Sequence, residues 1–474
     1  MKRRNFFKNT LAGGALLGGA GIGASSCGTQ QQAQAPEPRV YTKQPRKMVQ
    51  IQENGKYDYL LKGGHVIDPK NNINSPMDVA VAGGKIALVG KDIPATDAKR
   101  TFDVSGLHVT PGLIDIHVHC FHTFNVLKGV RSVNAEDLCL PYGVTTTVDV
   151  GTSGAESFED FKKLIDISRV RVLALLNIAA PGMTESEQDP RTFKVEPMVR
   201  LAKKYPETIV GFKTAHYMTR GNLDKSHPPW ASIDALIEAG EKANLPVMIH
   251  SEPRTPSDGF PERSFRELVM EKMRPGDIHT HIFAPAYHVG EYMGEQGRIN
   301  PDMIKAQEKG VIFDVGHGSG SFVFRHAHTA VRQGFMPNSI STDLYGRNSN
   351  GPVINMTNLM TKFLNMGMSL EDVIRCSTIN PAREINHPEL GNLSAGSPAD
   401  IAVIDMLTGD FGTTDTGGFR EGINGKVKGD KRLQNVMTLF GGQTVFDLYA
   451  LDAIEWEDIP RDNTYWTSFS GQDW

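Results

Sequence analysis

Eight short apolar runs, spaced about 30 residues apart through the middle of the chain, constrain the fold more than any other feature. They are Leu113–His119, Val144–Val150, Val170–Ile178, Ile209–Ala215, Val247–Ser251, Ile278–Ala284, Val311–Val315 and Ser339–Leu344. Between most of them lie helix-like segments, for example Ala155–Ser168, Trp230–Ala243 and Ser264–Lys272. Strands and helices that alternate in this way are typical of parallel βαβ units, and eight units in about 270 residues predict a closed (β/α)8 barrel.

An open, doubly wound parallel sheet is the alternative arrangement of such units. It would place a glycine-rich phosphate loop directly after the first strand, and no such loop follows Leu113–His119. The sequence therefore favours an α/β fold with a TIM-type barrel over residues 111–384. Short alternating runs in 46–110 and 385–450 predict antiparallel strands, and these two flanking segments are expected to form one small β-sandwich domain. Residues 451–474 are expected to form a C-terminal tail.

The composition excludes several other classes of protein. Across 474 residues, 50 Lys and Arg are balanced by 54 Asp and Glu, so the net charge is −4. No basic excess is available to neutralise phosphates, which argues against nucleic acid as a partner. Only 4 Cys are present, without a CxxC pair, so neither a Cys-rich zinc module nor a disulfide scaffold is expected. The unusual feature of the composition is its 15 histidines.

The first 45 residues are excluded from the fold. Residues 1–27 combine the basic Lys2–Arg4 with a short Gly-, Ala- and Leu-rich run, and they resemble a twin-arginine export signal. Ala24–Cys27 resembles a lipoprotein processing site. The chain is therefore expected to be exported, and to be periplasmic or anchored to a bacterial membrane only through a lipid on Cys27. Residues 28–45 are expected to be a tether, and the alternative is a cytosolic protein with a basic start.

Polar side chains lie at the ends of five of the apolar runs, where buried parallel strands should be almost purely hydrophobic. They are His117, His119, Lys213, His250, His279, His281 and Asp343. Because the carboxyl-terminal ends of barrel strands surround one opening, these side chains should converge. Buried imidazoles and charges are costly unless they are paired or coordinated. Imidazole nitrogen with carboxylate oxygen suits Zn²⁺ or a similar divalent ion.

Lys213, in the fourth run, needs a separate explanation because an ammonium group has no lone pair with which to bind a metal. One interpretation is a lysine that extends to solvent or pairs with an acid. The other is a neutral amine that has reacted with CO₂ to give a carbamate, which is a carboxylate able to bridge two metals. The residue pattern alone leaves both interpretations open.

Together these motifs resemble those of the amidohydrolase superfamily over about residues 56–450. The matching elements are Pro111–His119, Lys213, His250, His281, Asp343, Asn380–Ala382 and Gly396–Asp400. The stretches most similar to deacetylase-type, dihydroorotase-like members are His119–Phe121, Gly143–Thr152 and Phe313–Gly318. The resemblance implies a metal-dependent hydrolase that cleaves an amide or ester bond of a small acylated molecule.

The resemblance also implies two divalent ions, expected to be Zn²⁺. A hydroxide between them would attack the acyl carbonyl, and Asp343 would carry its proton to the leaving group. His281 is chosen over His279 because the family has Thr-His at this point. The implied ligands are His117, His119 and Asp343 for the first ion, His250 and His281 for the second, and N6-carboxylated Lys213 between them.

Other residues near the strand ends are weaker candidates. His317, in the Gly-rich loop after the seventh run, is predicted to be catalytic by donating to the substrate carbonyl, with a supporting role or none as alternatives. Cys120 is expected to belong to the core. Its neighbourhood lacks the Arg that dihydroorotases usually have shortly after the two histidines. Five further residues could contact the substrate, and none is preferred: His216, Tyr217, Arg220, Arg254 and Arg347.

Two other functions remain open at this point. One is a cyclic-amide hydrolase, such as a dihydroorotase or a hydantoinase. The other is a non-catalytic lipoprotein on the same fold, which the ligand set disfavours because a scaffold has no need of six costly polar groups. The expected partner is a small acylated molecule, and the chain is expected to form a homo-oligomer.

Overall fold

The computed structural model describes residues 49–121, 132–217, 224–250, 264–284, 293–294, 298–415 and 425–459. These residues form a nine-stranded sheet, a seven-stranded sheet and a two-stranded ribbon, together with helices. No helix among them is long and apolar enough to cross a membrane. The predicted export signal, the tether and Cys27 lie outside the described residues, and so does most of the predicted C-terminal tail.

The strands are short in the barrel and longer in the flanking sheet. In chain order they are β1 (Gln50–Ile51), β2 (Tyr57–Asp68), β3 (Ile73–Ala82), β4 (Lys85–Gly90), β5 (Ala98–Asp103), β6 (His108–Pro111), β7 (Leu113–Val118), β8 (Val144–Gly154), β9 (Arg171–Asn177), β10 (Ile209–Thr214), β11 (Val247–Ile249), β12 (Ile278–His279), β13 (Met293–Gly294), β14 (Arg298–Ile299), β15 (Ile312–Phe313), β16 (Ile401–Thr414), β17 (Lys426–Phe440) and β18 (Gln443–Asp447).

The described helices lie mainly between barrel strands. They are α1 (Ala135–Cys139), α2 (Phe158–Ile167), α3 (Val195–Lys204), α4 (Ala231–Ala243), α5 (Phe265–Glu267), α6 (Pro301–Lys309), α7 (Phe324–Arg332), α8 (Met356–Met366), α9 (Leu370–Arg375) and α10 (Ile379–Glu384). A π-helical turn, Leu268–Lys272, continues α5. The ends of α8 follow local chemistry, since the Asn355 side chain accepts from the Asn358 N–H and Gly367 ends the helix at φ +108°.

The seven-stranded sheet is wholly parallel, and its order is that of the chain, from β7 through β8, β9, β10, β11 and β12 to β15. The eighth predicted run closes it by isolated parallel bridges rather than as a full strand. Ser339 bridges to Asp314 beside β15, and Leu344 bridges to Val118 of β7. The two edges of the sheet are thereby joined, and the predicted barrel is confirmed.

Side chains along the barrel strands alternate between two cores. Leu173 and Leu175 of β9 belong to the cluster inside the barrel, whereas Ala174 and Leu176 belong to the cluster that the helices cover. Residues in and after α10 complete the inner cluster: Ala382, Ile385 and Leu390. The interior is therefore a packed core, and the polar groups that interrupt it at the strand ends require their own explanation.

The nine-stranded sheet combines strands from both sides of the barrel sequence, because β16 pairs with β6 and with β17. The expectation of purely antiparallel pairing for residues 56–110 is wrong. β5 and β6 both pair in parallel with successive parts of β2, while β3 pairs with β2 antiparallel. The segment between β4 and β5 returns the chain to the start of β2, so the strands that follow run in the same direction as β2.

The hairpin of β16 and β17 extends well beyond the sheet. Only its first residues, Ile401–Ile404, pair with β6, whereas β16 and β17 pair with each other as far as Thr414 and Lys426. The extension lies on α8, where the Leu433 N–H donates to the Thr361 hydroxyl at 3.0 Å. This hairpin therefore connects the flanking sheet to a helix of the barrel.

Candidate metal centre

His117 and His119 reach the barrel opening because β7 contains a bulge. Between Asp115 and Val118, β7 advances by three residues while its partner β8 advances by two, from Thr147 to Asp149. Ile116 lies in the inner core, so regular alternation would turn the next side chain, His117, outward. The extra residue turns it inward instead, which is a recurrent use of bulges beside active sites.

Both histidines have Nδ1 engaged by a hydroxyl group of the protein. His117 Nδ1 lies 3.1 Å from Thr280 Oγ1, and that hydroxyl donates to Asp314 Oδ2 at 2.6 Å, so the histidine N–H is the donor. His119 Nδ1 lies 2.8 Å from Thr152 Oγ1. The Nε2 atoms of the two rings both face Asp343 Oδ1, at 3.5 and 3.2 Å. Such outer contacts orient metal-binding imidazoles in known sites.

The structure separates His281 from His279, its neighbour two residues earlier. The His281 ring lies 5.0 Å from that of His117 and 4.3 Å from that of His250. By contrast, His279 packs between Phe265 and Phe313, at ring-centroid distances of 5.6 and 6.1 Å. His281 therefore joins the predicted cluster, and His279 belongs to the packing around the sheet.

Three of the six predicted ligands form a compact group that could hold a metal ion. Donor atoms of His117, His281 and Asp343 all lie within 4.8 Å of one another, and all three residues are buried. His281 and Asp343 adopt left-handed backbone conformations, with φ of +67° and +51°, which are costly for residues with a side chain. Strain of this kind is concentrated at functional sites, and here it affects two members of the same cluster.

Lys213 lies on β10 with only 1 % of its surface exposed. Its Nζ has no hydrogen-bond partner among the described residues. Burial lowers the pKa of this lysine to about 8, although the charges of Asp343, Asp314 and Glu187 act in the opposite direction. The interpretation of a lysine that extends to solvent is therefore wrong, and none of these acids forms a hydrogen bond with Nζ.

The donor set fits a divalent metal in its chemistry. Burial is the main cause that holds the pKa of the His117 and His281 imidazoles well below its usual value. The charge of nearby Lys213 lowers the pKa of His117 further, and the charge of His117 does the same for His281. The rings are therefore neutral and keep a lone pair. His281 Nδ1 donates to the Gly316 carbonyl at 2.6 Å, which leaves Nε2 with that lone pair. Neutral imidazoles, one carboxylate and an orphaned buried amine form a set that an apolar core would not retain.

Loop 316–318 forms one wall of this cluster, and its glycines are required there. A Cβ on Gly316 would lie 2.8 Å from His281 Nδ1, and one on Gly318 would lie 2.3 Å from Asp343 Oδ2. Both glycines have positive φ, +45° and +55°. The backbone can approach the donors this closely only without side chains.

The structure places the His317 ring apart from the predicted ligands. The ring stacks on Phe322, with centroids 4.3 Å apart and planes at 13°. Its Nδ1 lies 3.0 Å from the Gly318 carbonyl oxygen, and its Nε2 lies 2.7 Å from Lys362 Nζ. Both ring nitrogens are thus occupied by protein groups, and the catalytic role of His317 stays a prediction.

Two buried carboxyl groups that support the site were not predicted. Asp314 accepts from the hydroxyls of Thr280, Ser339 and Ser341 at 2.6, 2.9 and 2.8 Å, and burial raises its pKa. Asp115 accepts from the Thr342 hydroxyl at 2.6 Å, and burial raises its pKa to about 7. A signal existed, because each acid interrupts an otherwise apolar strand segment in the sequence.

The weaker candidates divide between the opening and the core. His216 contacts buried Glu187 at 3.0 Å and lies 5.6 Å from the His250 ring, whereas Arg347 is exposed. Tyr217 and Cys120 are buried, and Cys120 lies in the main hydrophobic core as expected. Two further candidates lie outside the described residues: Arg220 and Arg254.

Known proteins share both the sequence pattern and the architecture of this chain. The amidohydrolase family matches residues 108–445. Curated relatives named deacetylase include one of Agrobacterium fabrum, 31 % identical over 365 residues, which are 74 % of this chain and 83 % of that protein. A crystal structure of an adenine deaminase has a TM-score of 0.71 at 26 % identity, covering 82 % of this chain and 100 % of the other. A crystal structure of a dihydroorotase has a TM-score of 0.67 at 26 % identity, and the match covers 82 % of this chain and 99 % of the other.

The chain therefore belongs to the amidohydrolase family. It is a hydrolase that acts on C–N bonds, and the predicted relationship to deacetylase-type members is confirmed.

Proposed function

We propose that this chain is a metal-dependent, deacetylase-like hydrolase that cleaves the acyl C–N or ester bond of a small acylated molecule. The observation that carries the proposal is the buried group of His117, His281 and Asp343 at the carboxyl-terminal ends of barrel strands. The buried Lys213 amine is near enough for its charge to lower the pKa of both imidazoles. The deacetylase names of relatives that align over most of this chain support the same substrate class.

Two divalent ions, in our proposal Zn²⁺, would be held by His117, His119, His250, His281 and Asp343 together with Lys213, which would bind as a carbamate. When bound, such ions lower the pKa of water towards 7 and polarise a carbonyl group. The buried Lys213 amine supports the carbamate because a neutral amine is the form that attacks CO₂, forming an N–C bond and losing a proton. Carbamate formation would also convert this buried amine, which lacks a partner among the described residues, into a carboxylate whose oxygens could bind metal.

The residues of the chain then have distinct tasks. Asp343 accepts a proton from the water whose oxygen attacks the acyl carbon, and it delivers that proton to the leaving nitrogen or oxygen as the bond breaks. Thr280 and Thr152 hold the rings of His117 and His119, so their Nε2 atoms stay aimed at the site. The products are a carboxylic acid and an amine or alcohol.

Asp343→Asn tests this assignment. We expect the variant to lose at least about a thousandfold in kcat, because the amide cannot accept the proton, while most of the metal stays bound. Asp447→Asn, which alters a carboxylate of the flanking sheet, is the matched control. Turnover by Asp343→Asn at the wild-type rate, or a purified wild-type protein without divalent metal, would overturn the proposal.

A cyclic-amide hydrolase is the second candidate, because a dihydroorotase structure shares the architecture over nearly its whole length. A panel of N-acetyl and O-acetyl acids of both hands, together with dihydroorotate, hydantoins and adenine, separates the candidates. Cleavage of acetylated acids supports the first proposal. Activity confined to ring substrates supports the second, and deamination of adenine alone contradicts both.

We also propose, from the sequence alone, that the chain is exported and carries a lipid on Cys27, and that it forms a homo-oligomer. Mass analysis of the mature protein from membranes should find the amino terminus at a modified Cys27. Cys27→Ala should release the protein from the membrane fraction. Sedimentation of the purified protein tests the assembly, and a monomer would contradict it.

A further inference from the structure

Lys362, on α8, is a second fully buried lysine, and neither the proposed mechanism nor the sequence motifs use it. Its Nζ lies 2.6 Å from the Pro352 carbonyl oxygen, 2.8 Å from the Thr414 carbonyl oxygen and 2.7 Å from His317 Nε2. Burial lowers the pKa of Lys362 to about 7, but its three acceptors match the three donors of an ammonium group and stabilise that form. Nζ also lies 5.6 Å from the centre of the Phe322 ring, on which His317 stacks.

The partners on either side of His317 fix its tautomer. Its Nδ1 faces the Gly318 carbonyl oxygen at 3.0 Å, and a carbonyl can only accept, so Nδ1 carries the hydrogen. In the neutral ring Nε2 is then the acceptor, and it accepts from Lys362. The result is a directional chain of hydrogen bonds from the Lys362 ammonium through the imidazole to the backbone of loop 316–318.

That loop touches the metal-donor cluster at two points. The Gly316 carbonyl accepts from His281 Nδ1 at 2.6 Å, and the Gly318 Cα packs against the Asp343 carboxylate. The loop has one side chain, that of His317, and it points away from the donors into the Lys362 group. Any shift of His317 would therefore move the two backbone positions against which His281 and Asp343 rest.

Lys362 also joins segments that are far apart in the sequence. Thr414 ends β16 of the long hairpin, and Pro352 lies in the loop before α8. The neighbouring Asp415 accepts from the Phe324 N–H at 3.0 Å and so anchors the start of α7 to the same hairpin. β16, which extends from the flanking sheet, thus ends at the group that holds loop 316–318.

We propose that Lys362 is a positioning residue, which acts through His317 to hold loop 316–318 and thereby the metal donors His281 and Asp343. In this proposal the β16–β17 hairpin helps to hold the metal donors in position, through the contact of Lys362 with Thr414. The proposal rests on the metal-dependent function proposed above. It assigns His317 the task of transmitting position, which is the supporting alternative left open for it.

Lys362→Met is the first test, with Zn²⁺ alone as the probe. Partners that orient metal ligands typically contribute about 10- to 100-fold in affinity, so we expect at least about a tenfold loss of Zn²⁺ affinity in competition with a chelator. Hydrogen exchange of the 312–323 segment in metal-free protein should become faster. Lys309→Met is the matched control, because Lys309 also donates to two carbonyl oxygens, of Met270 and Met273, but on the outer helix α6.

His317 variants keep the proposal testable if Lys362→Met does not fold. His317→Leu removes the acceptor and should lose Zn²⁺ affinity to the same extent, whereas His317→Gln retains an acceptor near Nε2 and should keep most of it. The combination of Lys362→Met with His317→Leu should be no worse than either single change, because both act through one connection.

Two results would overturn the positioning role. One is unchanged Zn²⁺ affinity together with unchanged exchange of the 312–323 segment in Lys362→Met. The other is additive losses in the double variant. The exchange measurement needs no metal, so a wild-type protein that binds no Zn²⁺ would refute the proposed function while the exchange result still decides the positioning role.

Discussion

Lys213 and Lys362 are both fully buried inside one chain, and burial lowers the pKa of both, to about 8 and about 7. Their surroundings differ. Lys362 Nζ is saturated by three acceptors, whereas Lys213 Nζ has no hydrogen-bond partner among the described residues. A buried amine with every donor satisfied is part of the architecture. A buried amine without a hydrogen-bond partner costs stability, and the proposed carbamate would give the Lys213 amine a function that offsets this cost.

Among the tests of this contrast between the two lysines, the largest effect is expected from removing the Lys213 amine. We expect Lys213→Ala to lose at least about a hundredfold in kcat/KM, because the proposed carbamate can no longer form on that side chain. Small carboxylic acids such as formate or acetate, added at high concentration, should partly restore activity by occupying the vacated volume.

Lys362→Ala should show no such rescue, which makes it the matched control. Equal rescue of both variants, or full activity of Lys213→Ala without added acid, would contradict the distinction between the two lysines.

A second test examines the hydroxyl groups that contact the metal-donor histidines, such as that of Thr280. Thr280→Val keeps the shape but removes the oxygen that holds His117 Nδ1 and donates to Asp314. We expect about a tenfold loss of Zn²⁺ affinity, since partners of this kind orient the ligand. Thr438→Val removes an equally buried hydroxyl in β17 and should leave the affinity unchanged. If both variants bind Zn²⁺ with wild-type affinity, the Thr280 hydroxyl does not contribute to metal binding.

The barrel could be predicted from the sequence, and so could the grouping of His117, His281 and Asp343 at one end of it, although the choice of His281 over His279 came from the family resemblance. Apolar runs at a regular spacing define parallel strands, and polar residues at their ends define one face of the barrel. The Lys362 group could not be predicted in this way. Its partners, His317 and Thr414, lie 45 and 52 residues away, and only the folded chain brings them together.

The bulge in β7 was also beyond sequence reasoning, because His117 and His119 share a face with or without it. Strand alternation alone could not show that the bulge is needed to turn this shared face toward the inside of the barrel. Likewise, the parallel pairing of β5 with β2 depends on the path of the connecting segment rather than on alternation within either strand. Asp314 and Asp115 were visible as charges in apolar strands, but their roles depend on hydroxyl groups from other strands.

Stability measurements on metal-free protein should separate the two lysines again, with a smaller effect. Lys362→Met leaves His317 Nε2 buried without its donor, and it removes one donor each from the Pro352 and Thr414 carbonyl oxygens, of which the Pro352 oxygen keeps a long contact from Asn358 Nδ2 at 3.4 Å. A buried acceptor left without a donor costs about 1–3 kcal/mol. We expect its free energy of unfolding to fall by at least about 2 kcal/mol in urea denaturation. Lys213→Met removes a group that makes no hydrogen bond with the part of the chain that the structure describes, so its stability should stay within about 1 kcal/mol of the wild type or rise. Equal losses in both variants would remove the contrast.

The smallest expected effect concerns Glu384, at the end of α10, whose Oε2 also has no hydrogen-bond partner among the described residues. Burial raises the pKa of this carboxyl to about 8, from 4.5 in an unfolded chain. The folded state therefore keeps a proton that the unfolded state releases, so stability is lost as the pH rises from about 4.5 to 8. Glu384→Gln cannot ionise and should avoid this loss. We expect the variant to match the wild type in free energy of unfolding at pH 5 and to exceed it by on the order of 1 kcal/mol at pH 8.5. If instead the wild type becomes more stable than Glu384→Gln as the pH rises, the ionised Glu384 carboxylate is stabilised by a partner, which would distinguish it from the Lys213 amine.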